Sequence, residues 1–153
     1  MTCIKRMFVL MLTALMLMAS MAIPALAANT SDVDFWNYTA LAYGYTRIPG
    51  RQKTNTTPVY VCVSQSNCAF VRVRAYGQNS SGSNYQNCTL SNGSLVDYVY
   101  CYRGIHHSIR SMINEYGWGY ASLGFKSGYD SSSDVVSGWW SPDSGQTHTV
   151  ATN

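Results

Sequence analysis

Charge is scarce in this chain: Asp, Glu, Lys and Arg together make up 11% of its 153 residues, and the formal net charge is +3 at pH 7. Lys5 and Arg6 lie in the first segment, and beyond it eight Lys/Arg face seven Asp/Glu. A near-neutral chain cannot maintain a directional field, which excludes a strongly basic nucleic-acid binder and an acidic tail. Glu115 is the only Glu and the Asp residues are scattered, so spacing nominates no glycosidase-type carboxylate pair. Histidine is also sparse. His106 and His107 are adjacent, so their side chains diverge on a helix and point to opposite faces on a strand. Completing a metal site with His148 or Asp143 has no support in the spacing, and no metal is expected. G-x-S-x-G, P-loop and Rossmann glycine patterns are missing, so neither a catalytic motif nor a cofactor is expected.

What is present begins with an export pattern. Lys5 and Arg6 precede an apolar run from Met7 to Leu17, and the small-residue triplet Ala25-Leu26-Ala27 follows Pro24. Residues 1–27 therefore read as a removable signal peptide, and residues 28–153 as a single β-rich domain. The apolar stretch is short for a membrane span and Pro24 interrupts it. No second run of spanning length follows, so the expected mature product is secreted, with no transmembrane segment. No Cys stands at the cleavage point to accept a lipid. About 126 residues remain, enough to bury roughly two-thirds of the unfolded surface.

Four cysteines remain, Cys62, Cys68, Cys88 and Cys101, and an even number in an exported chain predicts two disulfides. The alternating runs Pro58–Val63 and Ala69–Tyr76, folded as a hairpin centred on Gln65, place Cys62 opposite Cys68. Val59, Val61, Val63, Val71 and Val73 share one face of that hairpin. A second hairpin around Asn92-Gly93 pairs Cys88 with Cys101 if its loop is long; the tightest two-residue turn instead sets Cys88 opposite Asp97. A four-cysteine zinc site lacks any C-x-x-C unit.

The rest reads as strand and turn with one exception. Arg47 to Thr57 is expected to be a basic exposed loop. From Ile105 to Tyr116 the apolar residues Ile105, Ile109, Met112, Ile113 and Tyr116 fall within about 100° of a helical wheel, predicting one short helix capped by Gly117. A strand through Ile105, Ile109 and Ile113 is the alternative. Trp118–Phe125, Val135–Trp140 and Gln146–Ala151 read as strands. The predicted fold class is all-β, mainly an antiparallel β-sandwich, with that one helix.

Nineteen of the 20 aromatic residues lie beyond the signal. Tyr98, Tyr100 and Tyr102 form a ladder on one strand face, and Trp139 is expected to be more exposed than Trp140. These rings suit stacking on sugars or settling at an envelope interface, because Tyr and Trp join an apolar body to a polar edge. The ladder could equally be the inner face of a sandwich. N-x-[ST] sequons begin at Asn29, Asn37, Asn55, Asn79, Asn87 and Asn92, and would carry glycans only in a eukaryotic secretory pathway.

The segments Asn114-Glu115-Tyr116-Gly117, Ala121-Ser122-Leu123 and Gly138-Trp139-Trp140-Ser141-Pro142-Asp143-Ser144 resemble an uncharacterised family of small secreted bacterial proteins with a Gly-x-Trp-Ser-Pro-Asp-Ser ending. The layout of a signal followed by a small β-domain is similar to lactococcin-type β-sandwich bacteriocins. Neither resemblance implies catalytic residues. The expected function is non-enzymatic: binding a component of the cell envelope, as a bacteriocin-like competition factor. A carbohydrate-binding module using surface aromatics to hold a polysaccharide is the alternative, and a small secreted hydrolase the third.

Overall fold

The computed structural model describes residues 29–153; the signal-peptide expectation lies outside the described residues. The described chain is all-β with no helix, and thirteen strands follow in order. These are β1 (Val33–Ala40), β2 (Thr46–Arg47), β3 (Arg51–Gln52), β4 (Val59–Gln65), β5 (Phe70–Gln78), β6 (Tyr85–Asn87), β7 (Leu90–Ser91), β8 (Ser94–Leu95), β9 (Val99–Tyr102), β10 (His106–Ile109), β11 (Tyr120–Lys126), β12 (Asp134–Ser141) and β13 (Thr149–Val150). One sheet has the order β1-β12-β4-β10-β13. The second runs β2-β11-β5-β6, with β3 also on β11 and β9 also on β5. Apart from the parallel β10–β13 contact, the strand pairs are antiparallel, and the two sheets pack as a sandwich.

Alternation decides which residues enter the core. Val59, Val61 and Val63 of β4 face Val71, Val73 and Ala75 of β5 across the sandwich, joined by Val99, Leu123, Phe125, Val136 and Trp140. Phe35 on β1 stacks against Phe125 on β11, with ring centroids 4.8 Å apart, and so ties the two sheets together. Trp140 is 2% exposed. Its strand comes close to β4 because residue 138 is Gly: a Cβ there would lie 2.0 Å from the Cys62 carbonyl oxygen.

The chain leaves the predicted path in four places. Residues 105–116 do not form a helix. His106–Ile109 instead pair with β4, where His107 and Ile109 point inward, and a series of turns ends at Gly117, φ 76°. The helical spacing of Ile105 to Tyr116 is overridden because β4 offers a strand edge with a register that buries Ile109. Ile105 and Tyr116, two members of the helical stripe, are exposed.

Strands β4 and β5 do not form a hairpin. The segment between them is a corner that carries the chain from one sheet to the other, so the valines meet face to face across the core instead of edge to edge. Asp134 holds this corner. Its carboxylate accepts the Ser66 hydroxyl and the N–H groups of Asn67 and Cys68, at 3.0 and 3.3 Å for the latter two. Burial alone would raise the Asp134 pKa, but these donors and the Val135 N–H outweigh it and hold the carboxyl below its ordinary value.

The predicted disulfides are not formed: Cys62, Cys68, Cys88 and Cys101 are all buried free thiols. Cys62 sits beside Trp139, whereas the Cys68 N–H meets Asp134 at the far end of the same strand, roughly 15 Å away at strand rise. Asn92 and Gly93, with φ of 50° and 81°, make the tight two-residue turn, which pairs Leu90 with Leu95 and leaves no loop to bring Cys88 to Cys101. Along β5, Cys88 lies at Ala75 and Cys101 at Val71, four residues or roughly 13 Å apart, beyond disulfide reach.

Residues 47–57 are not a free basic loop. Lys53 is 4% exposed, and its ammonium donates to the carbonyls of Thr57 and Pro142 and to Asp143 Oδ1, the last at 2.9 Å.

Candidate functional site

The structure places the sequence-predicted aromatic residues on two different surfaces. Val99 and Cys101 are the inward residues of β9, so the Tyr ladder is an outer face and not the inner face of the sandwich. Trp139 is also outward but belongs to the other sheet. Ladder and Trp139 therefore do not form one surface.

The ladder is part of a wider face that covers the second sheet. β5 sends Phe70, Arg72, Arg74 and Tyr76 outward, alternating with core Val71, Val73 and Ala75. Phe70 meets Tyr100 edge-on at 5.0 Å, Tyr102 at 6.0 Å and Tyr129 at 5.9 Å between ring centroids. Tyr98 meets Tyr100 at 5.4 Å. Tyr98 and Tyr100 are half-buried in this cluster, while Tyr102 and Tyr129 are 51% and 52% exposed. Further along, Arg74 lies over Tyr45 at 3.8 Å and Arg47 over Tyr85 at 3.5 Å. Gly124 leaves room for this second group, since a Cβ there would meet the Tyr76 ring at 2.5 Å.

Two of the arginines on this face are ion-paired. Arg72 pairs with Asp130 at 2.5 Å while its guanidinium lies 5.4 Å from the Tyr98 ring, and Arg74 pairs with Asp97. Hydrogen bonds from Arg72 and Lys126 push the Asp130 pKa down to about 2. Burial raises the Tyr45 pKa to about 12 against the pull of Arg74, so its phenol stays neutral at physiological pH. The result is an aromatic surface on which the Arg72 and Arg74 guanidinium groups are ion-paired, while Arg47, over Tyr85, is held by the Gln78 side chain and the Gly82 carbonyl. Alternation in the sequence sets Val71 and Val73 on one face of β5 and so leaves Phe70, Arg72 and Arg74 on the other, but nothing marks Tyr45, Tyr85 and Tyr129, which come from distant loops and short strands with no local periodicity.

On the opposite sheet, Trp139, Tyr60 and His106 stand on neighbouring strands β12, β4 and β10. The Trp139 indole N–H donates to the Tyr60 hydroxyl at 2.7 Å, and that hydroxyl lies 2.8 Å from His106 Nδ1. His148, just before β13, packs on Tyr60 at 4.7 Å and on His106 at 5.8 Å. Together with Asp32, Ser144 and Gln146 they enclose a pocket of about 460 Å³. His107 points the other way, into the core, where its Nε2 accepts the Tyr102 N–H at 2.9 Å. Among the described residues no group of three or more His, Cys, Asp or Glu is arranged to hold a metal ion.

The Gly-x-Trp-Ser-Pro-Asp-Ser segment serves structure. Gly138 permits the close strand approach and Trp140 fills the core. The Ser141 hydroxyl donates to the Asp143 carbonyl at 3.0 Å, and Asp143 takes Lys53, the Asn29 N–H and the Thr54 hydroxyl. Burial alone would raise the Asp143 pKa, and these donors bring it below its ordinary value.

Residues 23–144 match a family described as "Protein of unknown function (DUF2712)". The chain belongs to that family. No curated protein and no solved structure matches it. The DUF2712 match spans both aromatic surfaces and closes on Ser144, so His148 and Gln146 lie beyond it. It reaches well outside the C-terminal third that carried the resemblance in the sequence.

Proposed function

We propose that this DUF2712 protein is an exported, non-enzymatic binding protein that attaches to polysaccharide of the bacterial cell envelope through the outer face of the second sheet, as a bacteriocin-like competition factor does. One observation carries the reading: Phe70, Tyr98, Tyr100, Tyr102 and Tyr129 form a contiguous aromatic cluster on a rigid sheet, with Tyr102 and Tyr129 half exposed. Rings with polar edges suit the C–H faces and hydroxyls of sugars. Asp97 pairs with Arg74, and Asp130 with Arg72 and Lys126, so the cluster lacks the row of free cations that a polyanion such as nucleic acid needs.

The remaining chemistry supports a binding role over a hydrolytic one. The four thiols are buried, and burial pushes those of Cys62, Cys88 and Cys101 above the ordinary range, the opposite of what a nucleophile needs. Asp134 and Asp143 are engaged in internal hydrogen bonds. Co-sedimentation of the mature protein with intact cells, isolated peptidoglycan and purified wall polysaccharide tests the reading, with growth inhibition of the same cells measured alongside. Retention on a glycan-containing fraction is expected, and recovery in the supernatant in every case would contradict it.

A further inference from the structure

The pocket on the first sheet is a second concave feature, separated from the aromatic face by the thickness of the sandwich. Its volume, about 460 Å³, lies within the range of small-molecule sites. It is lined by the Trp139 and Tyr60 rings, by two imidazoles and by a polar rim from Asp32, Ser144 and Gln146.

The lining restricts the ligand. Among the described residues no Lys or Arg lines the pocket and Asp32 supplies the one fixed charge, so a phosphate, sulfate or carboxylate would meet no counter-charge there and a like one at the rim. A wholly apolar ligand would leave the rim groups without partners. What fits aromatic walls and a polar rim together is a ring with apolar C–H faces and hydroxyls at its edge.

The polar groups are also set for this. The Tyr60 hydroxyl receives the Trp139 N–H and has its own hydrogen free to donate to His106 Nδ1. In the tautomer that accepts it, His106 carries its proton on Nε2, a donor with no partner among the described residues. The carboxylate of Asp32, exposed at the rim, makes no hydrogen bond or ion pair among the described residues and supplies the acceptors. Trp139, Tyr60 and His106 come from three adjacent paired strands, so this donor and the flanking rings are positioned before any ligand arrives.

We infer that the Trp139–Tyr60–His106–His148 pocket is a binding site for one or two units of an uncharged sugar, separate from the polymer-binding face. Titration calorimetry and tryptophan fluorescence on the mature protein test it, using cellobiose, maltose and N,N′-diacetylchitobiose as probes and choline and inorganic phosphate as charged comparisons. At least one disaccharide is expected to bind and perturb tryptophan emission. Asp32→Ala and Trp139→Ala should each weaken it about tenfold or more. Asp32 is exposed, so its variant keeps the melting temperature and separates loss of binding from loss of fold. Tyr102→Ala should leave disaccharide binding unchanged, which distinguishes failure of this site from failure of the polymer-binding face. Binding of no disaccharide, binding that survives both pocket substitutions, or binding of choline or phosphate in preference to the sugars would overturn the inference.

Discussion

His107 illustrates how one side chain can link the two sheets. It is carried by β10 of the first sheet, yet its Nε2 accepts the backbone N–H of Tyr102 from β9 of the second. Protonation would turn that acceptor into a donor and place a charge in the core. Burial accordingly lowers its pKa from the ordinary 6.5, and the charge of neighbouring His106 acts in the same direction. The folded protein thus resists a proton that the unfolded chain accepts. Above pH 6.5 both states hold neutral His107 and its contribution is intact; as pH falls below 6.5 the unfolded chain binds protons first and stability declines until the folded pKa is passed. Denaturant unfolding between pH 8 and pH 5 should show this slope, and His107→Phe should flatten it. An equal slope in the variant would assign the effect elsewhere.

At the level of elements, the strands were legible and their partners were not. Val59–Val63 and Phe70–Tyr76 announce themselves by alternation, and the inward valines follow directly from it. Alternation is the same whether two strands pair edge to edge or face each other across a core, so the hairpin at Gln65 was the wrong one of two arrangements with identical patterns. At Asn92-Gly93 the turn chemistry was decisive, and the demand for a disulfide had drawn the reading away from it. The Ile105–Tyr116 stripe failed because a vacant strand edge is a property of the assembled sheet. The candidate site was legible only where it is periodic: the Tyr98 ladder could be read, whereas nothing in the sequence brings Asp32 and His148, from opposite ends of the domain, to the Trp139 pocket. The Lys53–Asp143 pair was hidden for the same reason, since nothing local marks Lys53 for burial. It fastens the end of β12 to the loop before β4, and its removal tests that fastening. Asp143→Ala leaves a buried ammonium without its carboxylate and should cost about 3–5 kcal/mol in denaturant unfolding. A cost near that of a surface substitution would show that water reaches Lys53.

For the whole molecule, the sandwich core stands without the disulfides expected to reinforce it. Val59, Val61, Val71, Val73, Phe125 and Trp140 are buried between two sheets that cover each other, and a domain of about 125 residues can stand on such a core. The mature chain, beginning at Ala28 as the export pattern predicts, should therefore carry four thiols that are silent to alkylation when folded and that all react in denaturant without reductant. A mass two or four daltons below the reduced value would restore the disulfides and require a rearranged register at Cys62 or Cys88.

The central claim is that the second sheet's outer face is a binding surface. Replacing Tyr102 by Ala removes an exposed ring beside Phe70 while leaving the core residues Val99 and Cys101 in place. The decisive measurement is the affinity of Tyr102→Ala for isolated envelope polysaccharide, set against its melting temperature. The account predicts binding weakened by about 2 kcal/mol with a melting temperature close to that of the parent protein. Unchanged binding, or a loss of stability large enough to explain weaker binding, would contradict it.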